Sequence, residues 1–174
     1  YLNTDGTIII KNQTSGSTNW EYTTIPVFRD LGAWLHLILS VGTASNDVTL
    51  YANGVSVPLT VNTNKASAAT CHVNSTFSHE IGERSNGSNS FDGYYARCTG
   101  IMGTTLTAAS FGETTDDGYW QINDISGLTF GTNGFLLEGQ NLSTGTDSQA
   151  GGTPAEQQIQ ALFHMDGSDA ATSF

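Results

Sequence analysis

Apolar and polar residues alternate with a period of two along much of this chain, the pattern of β-strands with one buried face. The stretch WEYTTI (20–25) places Trp20, Tyr22 and Thr24 on one face. The stretch WLHLILSV (34–41) is apolar on both faces, which predicts a central, buried strand. A buried helix is the alternative there, but the run is short and bounded by turn residues. Many short strands separated by turns predict an all-β protein.

Two glycine-containing turns predict hairpins. Asp5-Gly6 separates two short extended runs at the start of the chain, and Asn53-Gly54 is the strongest two-residue turn signal because both positions need a positive φ. Pro58 predicts an edge position or the end of a strand. The turn at Asn53-Gly54 predicts a hairpin over 48–59 with the opposed pairs Ala52 and Val55, Leu50 and Val57, and Val48 and Leu59.

Three further regions complete the predicted order of elements. Residues 12–19 (NQTSGSTN) have the composition of a polar loop. The stretches FSHEIGE (77–83) and FDGYYARCTGIMG (91–103) are predicted strands on either side of a polar loop, and strand-like alternation resumes over 117–139. These elements predict an antiparallel β-sandwich or barrel.

The C-terminal arm, residues 153–174, changes character. Thr153-Pro154-Ala155-Glu156 is a capping box with proline at the first helical position, which predicts a short helix. We place the predicted β-sandwich domain in residues 1–152 and treat the arm as an appendage or as the start of a following module.

Charge limits the partners. Of 174 residues only 12% are charged, with 5 Lys and Arg against 16 Asp and Glu, a net charge of −11. Nucleic acid and anionic membrane surfaces are disfavoured, and no apolar run reaches membrane-spanning length. A surface solvated mainly by Ser, Thr, Asn and Gln is typical of extracellular and virion-surface β proteins. Neutral sugars, divalent cations and other proteins remain as partners.

The two cysteines, Cys71 and Cys98, leave two alternatives open. They could form one disulfide in an oxidising compartment, but free thiols are favoured, with Cys98 as a small buried residue of a strand. His72 adjoins Cys71, yet no second pair follows at zinc-finger spacing, so zinc is not expected.

The chain carries an ordered series of motifs: Trp34 and His36, Leu50-Tyr51, Asn53-Gly54, Ile81-Gly82, and Phe91, Gly93 and Ala96. This series resembles the central half of a laminin G-like domain of the concanavalin A-like jelly-roll class. The continuation over 110–138 (SFGETTDDGYWQINDISGLTFGTNGFLLE) resembles such domains in structural proteins of tailed bacteriophages. The resemblance covers about residues 20–138 and implies an antiparallel two-sheet sandwich. Two features depart from it: few strands precede Trp20, and ALFHMDG (161–167) resembles the opening strand of such a domain, in conflict with the predicted helix.

The resemblance implies a non-enzymatic structural protein, a phage tail, fibre or decoration subunit on the virion surface or outside the cell. We expect it to assemble with copies of itself or with other surface proteins. The alternative is an adhesin module that binds host surface polysaccharide. Glycoside hydrolases of this sandwich class need paired carboxylates. Glu80 and Glu83 are offset by an odd number, which places them on opposite faces of a strand, so we do not expect catalysis.

Two sets of candidate binding residues remain, calcium ligands implied by the resemblance and aromatic residues next to loops on which a sugar ring could stack. Laminin G-like domains often bind Ca²⁺ at the sandwich rim through hard oxygen ligands, and His36 matches a hydrogen-bonded core residue of the family. Asp116-Asp117 and Asp166 with Asp169 are alternative calcium ligands. The candidate calcium ligands are Asn46, Asp47 and Asp92. The candidate carbohydrate-binding aromatics are Tyr94, Tyr95, Tyr119 and Trp120.

Overall fold

The computed structural model describes residues 1–30, 32–69, 80–82, 91, 93–138, 157–158 and 161–164; of residues 138, 157–158 and 161–164 it describes the backbone alone. The first six strands are β1 (Ile9–Thr14), β2 (Ser17–Thr24), β3 (Trp34–Val41), β4 (Val48–Ala52), β5 (Val55–Val57) and β6 (Leu59–Thr63). The next five are β7 (Tyr94–Tyr95), β8 (Arg97–Gly100), β9 (Gly112–Thr114), β10 (Trp120–Ile122) and β11 (Phe135–Glu138). The last two are β12 (Gln157–Gln158) and β13 (Ala161–His164). Within the described residues one 3₁₀ turn, Ala108–Ser110, is helical, so the predicted all-β class is confirmed.

The first sheet has the strand order β1-β2-β6 and is antiparallel. The predicted polar loop at 12–19 is wrong, because β1 and β2 continue to a two-residue turn at Ser15-Gly16. Both turn residues have positive φ, 49° and 84°, as a tight hairpin requires. The predicted alternation is confirmed in β2, where Trp20, Tyr22 and Thr24 are buried.

The second sheet has the order β5-β4-β3-β13-β7, so the predicted central strand over 34–41 lies in its middle. The hairpin turn at Asn53-Gly54 is confirmed, with φ of 46° and 80°. Leu50 pairs with Val57 as predicted. The N-terminal turn at Asp5-Gly6 is also confirmed, since it is closed by an antiparallel bridge between Leu2 and Ile8.

The chain crosses from one sheet to the other at Pro58. β5 ends at Val57, and Leu59 begins β6, which pairs with β2 through Leu59 and Thr24. The predicted pairing of Val48 with Leu59 is therefore wrong, and the hairpin is shorter than 48–59. Proline has no amide hydrogen for a ladder, so the break falls where the sequence predicts a strand end.

Two separate cores cover the two faces of β3. Buried residues of β1 and β2 pack with those of β4 and β5, and Leu37 packs against this first core. Ile38, on the opposite face of β3, packs in a second core with Ala108, Phe111 and Ile125. This explains why β3 is apolar on both faces. The first core joins the first and second sheets, which is compatible with a β-sandwich, and the second core lies on the other face of β3.

Two smaller sheets complete the fold. β9 pairs with β10, and the order β12-β11-β8 includes one parallel pair, β11 with β12.

The predicted strand over 77–83 is wrong for its described residues, 80–82, which form a bend. No helix in the described part of the chain is long and apolar enough to cross a membrane.

The C-terminal arm contributes a strand where the capping box predicts a helix. β13 pairs with β3 on one side and with β7 on the other. The helix prediction is therefore wrong for Ala161–His164, which form a strand. A local helix signal contributes little compared with hydrogen bonding on both sides of a sheet position, so tertiary context decides.

Candidate functional site

The four aromatic residues predicted to bind carbohydrate do not form one surface. Tyr94 and Tyr95 are neighbours on β7, so they point to opposite faces of the sheet. Tyr119 is 74% exposed in the turn before β10. Trp120 packs into the second core. The set therefore separates into exposed positions, Tyr94 and Tyr119, and packing positions, Tyr95 and Trp120.

Trp120 is part of a hydrogen-bonded cluster with His36 and Asn53. Its indole N–H donates to Nδ1 of His36 at 2.8 Å, with the two ring planes inclined by 30° and their centroids 6.0 Å apart. The backbone N–H of His36 donates to the side-chain Oδ1 of Asn53 at 2.8 Å. The backbone N–H of Asn53 donates to the carbonyl oxygen of His36 at 2.9 Å. The cluster joins the β4–β5 turn to β3 and β10, which is a structural role.

Two glycines make room for the indole ring. A Cβ atom on Gly54 would lie 2.2 Å from Cζ3 of Trp120, and one on Gly112 would lie 2.4 Å from Cζ2. Gly54 also has a φ of +80°, which disfavours any side chain. Gly54 therefore serves the hairpin turn and the packing of Trp120 at once.

His36 is a buried neutral imidazole. Its side chain is 1% exposed, and burial, with a smaller effect from the Arg97 charge, lowers its pKa to about 4. Because Nδ1 accepts the indole hydrogen bond, the ring proton lies on Nε2 at neutral pH. The expected hydrogen-bonded core role of His36 is confirmed.

Tyr95 is half-buried, and Cys98 is buried. The ring of Tyr95 lies 4.8 Å from that of Phe91, and burial, with a smaller effect from Cys98, raises the pKa of Tyr95 to about 12. Cys98 is a free, buried thiol whose pKa burial also raises to about 12. A thiol with this pKa is protonated at neutral pH and a poor nucleophile. Cys71 lies outside the described residues.

Tyr94, one of the predicted carbohydrate-binding residues, shares one face of the second sheet with Trp34, which was not among them. Trp34 pairs with His164 of β13, and His164 pairs with Tyr94 of β7. Directly paired residues share a face, so Trp34 and Tyr94 lie on one face two strand spacings apart, about 10 Å. They are 46% and 47% exposed. We call Trp34 and Tyr94 the aromatic row.

The loop with the predicted calcium ligands is closed around a lysine. Oδ1 of Asn46 accepts hydrogen bonds from the Tyr22 hydroxyl at 2.9 Å and from the Lys65 amide at 3.0 Å. Lys65 is fully buried, and its Nζ donates to the carbonyl oxygens of Ala44 at 2.9 Å and Ala66 at 3.4 Å. The positive charge that a bound ion would bring to this loop is already supplied by Lys65.

The other predicted calcium ligands are less informative. Asp47 lies in the same loop, and its carboxylate occupies the space beside Gly42, where a Cβ atom would overlap it. Asp116 and Asp117 are exposed. Asp92 and the alternatives Asp166 and Asp169 lie outside the described residues. Among the residues that are described, no three His, Cys, Asp or Glu side chains form a cluster that could hold a metal ion. The calcium site stays a prediction.

Comparisons with models of protein families, with curated proteins and with solved structures gave no match to this chain.

Proposed function

We propose that this chain is a non-enzymatic structural subunit of a virion or other surface assembly, built on a laminin G-like jelly roll and associating with copies of itself. The titratable groups in the described interior support a structural role. The His36 ring accepts a hydrogen bond in a packed cluster, the Lys65 ammonium binds two backbone carbonyls, and the Cys98 thiol is protonated.

Apolar side chains on edge strands carry the self-association part of the proposal. β5 is an edge of the second sheet, and β6 is an edge of the first. Val55 on β5 is 70% exposed, and Val61 on β6 is 44% exposed. Monomeric proteins usually protect edges with charges or prolines, because open edges invite pairing with another chain. The exposed valines on β5 and β6 favour pairing of these edge strands between copies.

Light scattering coupled to size exclusion tests the proposal. We expect the mass of the full chain to rise with concentration, and Val55→Lys with Val61→Lys to lower it towards that of the monomer. Thr104→Lys is the matched control, because Thr104 is exposed and outside every strand. A full chain that remains monomeric at the highest soluble concentration would contradict the proposal.

The aromatic row supports a second candidate, a glycan-binding module. Two half-exposed aromatic rings on one sheet face offer apolar surfaces on which neutral pyranoses stack, and the net charge of −11 disfavours acidic polymers. On an array of neutral polysaccharides, Trp34→Ala and Tyr94→Ala should each weaken binding about tenfold. Tyr119→Ala, more exposed but outside the row, should leave binding unchanged. Absence of binding by the unmodified protein would exclude this candidate.

A further inference from the structure

β13 has an unusual place for a strand of the C-terminal arm. It lies inside the second sheet, with four residues paired to β3 and two paired to β7. The two neighbours of β13 belong to distant parts of the chain, Trp34–Val41 and Tyr94–Tyr95. β13 therefore occupies a gap between β3 and β7, two strands that precede it in the sequence. We call this gap the slot.

The slot has two open sides when β13 is absent. The backbone groups of β3 that β13 satisfies, from Trp34 to Leu37, would form one edge, and Tyr94–Tyr95 would form the other. Unpaired edge groups pair readily with any strand of suitable sequence. The pairing of β3 with β4 and of β4 with β5 does not involve β13, so the open edge of β3 is held in place by its other neighbour.

The arm is long enough to reach a neighbouring molecule. β12 pairs in parallel with β11, and 18 residues, 139–156, connect these two strands. Such a connection spans up to about 60 Å when extended. A domain of about 150 residues has a radius of gyration near 15 Å. The same arm can therefore fill the slot of its own chain or that of an adjacent copy.

We infer that copies of this chain exchange their C-terminal arms, so that β12 and β13 of each copy complete the sheets of another copy. The inference rests on the proposed self-assembly and adds a second contact between copies to the edge pairing of β5 and β6. The contacts of β13 with β3 and β7 are identical in both arrangements, so exchange adds subunit association without losing sheet hydrogen bonds. The exchanged unit includes β12, since two residues separate it from β13.

Disulfide trapping distinguishes the two arrangements. Leu35 and Phe163 are direct partners across β3 and β13, at a spacing that suits a disulfide. We would combine Leu35→Cys with Phe163→Cys, replace Cys71 and Cys98 by serine and alanine, and oxidise the assembled protein. Exchange predicts covalent dimers or longer chains on a non-reducing gel, which a reducing gel resolves to monomers.

A matched control pair joins strands that cannot exchange. Ser40 and Thr49 are partners across β3 and β4, which a short loop connects, so Ser40→Cys with Thr49→Cys should give an internal disulfide and a monomer band. An internal disulfide also in the Leu35 and Phe163 pair would overturn the exchange, as would no disulfide there when the control pair oxidises. If light scattering still shows oligomers in either case, self-assembly stands. A monomeric protein removes both proposals.

Discussion

The hydrogen bond between Trp120 and His36 gives the most direct test of the second core. Trp120→Phe keeps an aromatic ring between Gly54 and Gly112 but removes the indole N–H. Nδ1 of His36, on a side chain 1% exposed, then loses its donor in the interior. An unsatisfied buried acceptor costs about 1–3 kcal/mol, and the smaller ring adds about 1 kcal/mol of lost packing. We expect the free energy of unfolding to fall by about 2–4 kcal/mol at pH 7.

The pH dependence of stability gives an independent signature. The pKa of His36 is lowered to about 4 in the folded protein and returns to about 6.5 on unfolding. A lowered histidine pKa means that this stabilisation is present above pH 6.5 and is lost as pH falls towards 4, by about 3 kcal/mol. Without the indole donor the pKa of His36 should rise, so less stability is lost on acidification. The difference in the free energy of unfolding between Trp120→Phe and the parent should therefore be smaller at pH 5 than at pH 7.

Trp20 supplies a matched control. Its indole is also buried, 2% exposed, but its Nε1 has no hydrogen-bond partner among the described residues. Trp20→Phe therefore removes a comparable volume without breaking such a bond. Urea unfolding followed by far-ultraviolet circular dichroism at pH 7 and pH 5 would compare the variants. The reasoning is refuted if Trp120→Phe costs no more than Trp20→Phe at pH 7 and retains the pH dependence of the parent.

Three further predictions concern the hairpin turn and the buried thiol. Gly54→Ala should cost more than about 2 kcal/mol, because it adds overlap with the indole to backbone strain, whereas Gly118→Ala, with a similar φ and open space, should cost about 1 kcal/mol in urea unfolding. Asn53→Gly keeps the turn but loses the acceptor for a backbone amide, about 1 kcal/mol by the same assay. With Cys71 replaced by serine, Cys98 should react with iodoacetamide at pH 8 much more slowly in folded than in urea-unfolded protein, as mass spectrometry would show.

Local patterns predicted those parts of the fold that depend on neighbouring residues. The Asn53-Gly54 turn is confirmed because both residues tolerate positive φ, and β3 has the predicted bounds because its eight residues suit burial on both faces. The turn at Ser15-Gly16 was missed because serine rarely adopts a positive φ and its neighbours are polar.

Long-range pairing was beyond the reach of these patterns. The capping box at 153–156 favours a helix locally. It carries no information about the position between β3 and β7 that a strand can fill. The aromatic row was missed for the same reason, since Trp34 and Tyr94 become neighbours on a face through β13 alone. Lys65 was missed because a lysine among Asn, Thr and Ser residues resembles a solvated loop residue, whereas the fold encloses it fully.

The crossing of the chain at Pro58 couples the local unfolding of the first sheet to that of the second. Val57 is the last residue of β5 and Leu59 the first of β6, so one residue separates strands of the first and second sheets. A fluctuation that releases β6 must pull on β5 and on the core residue Leu50 opposite Val57. Amide hydrogens of β2 and β4 should then exchange with solvent at similar slow rates, as one cooperative unfolding unit rather than two.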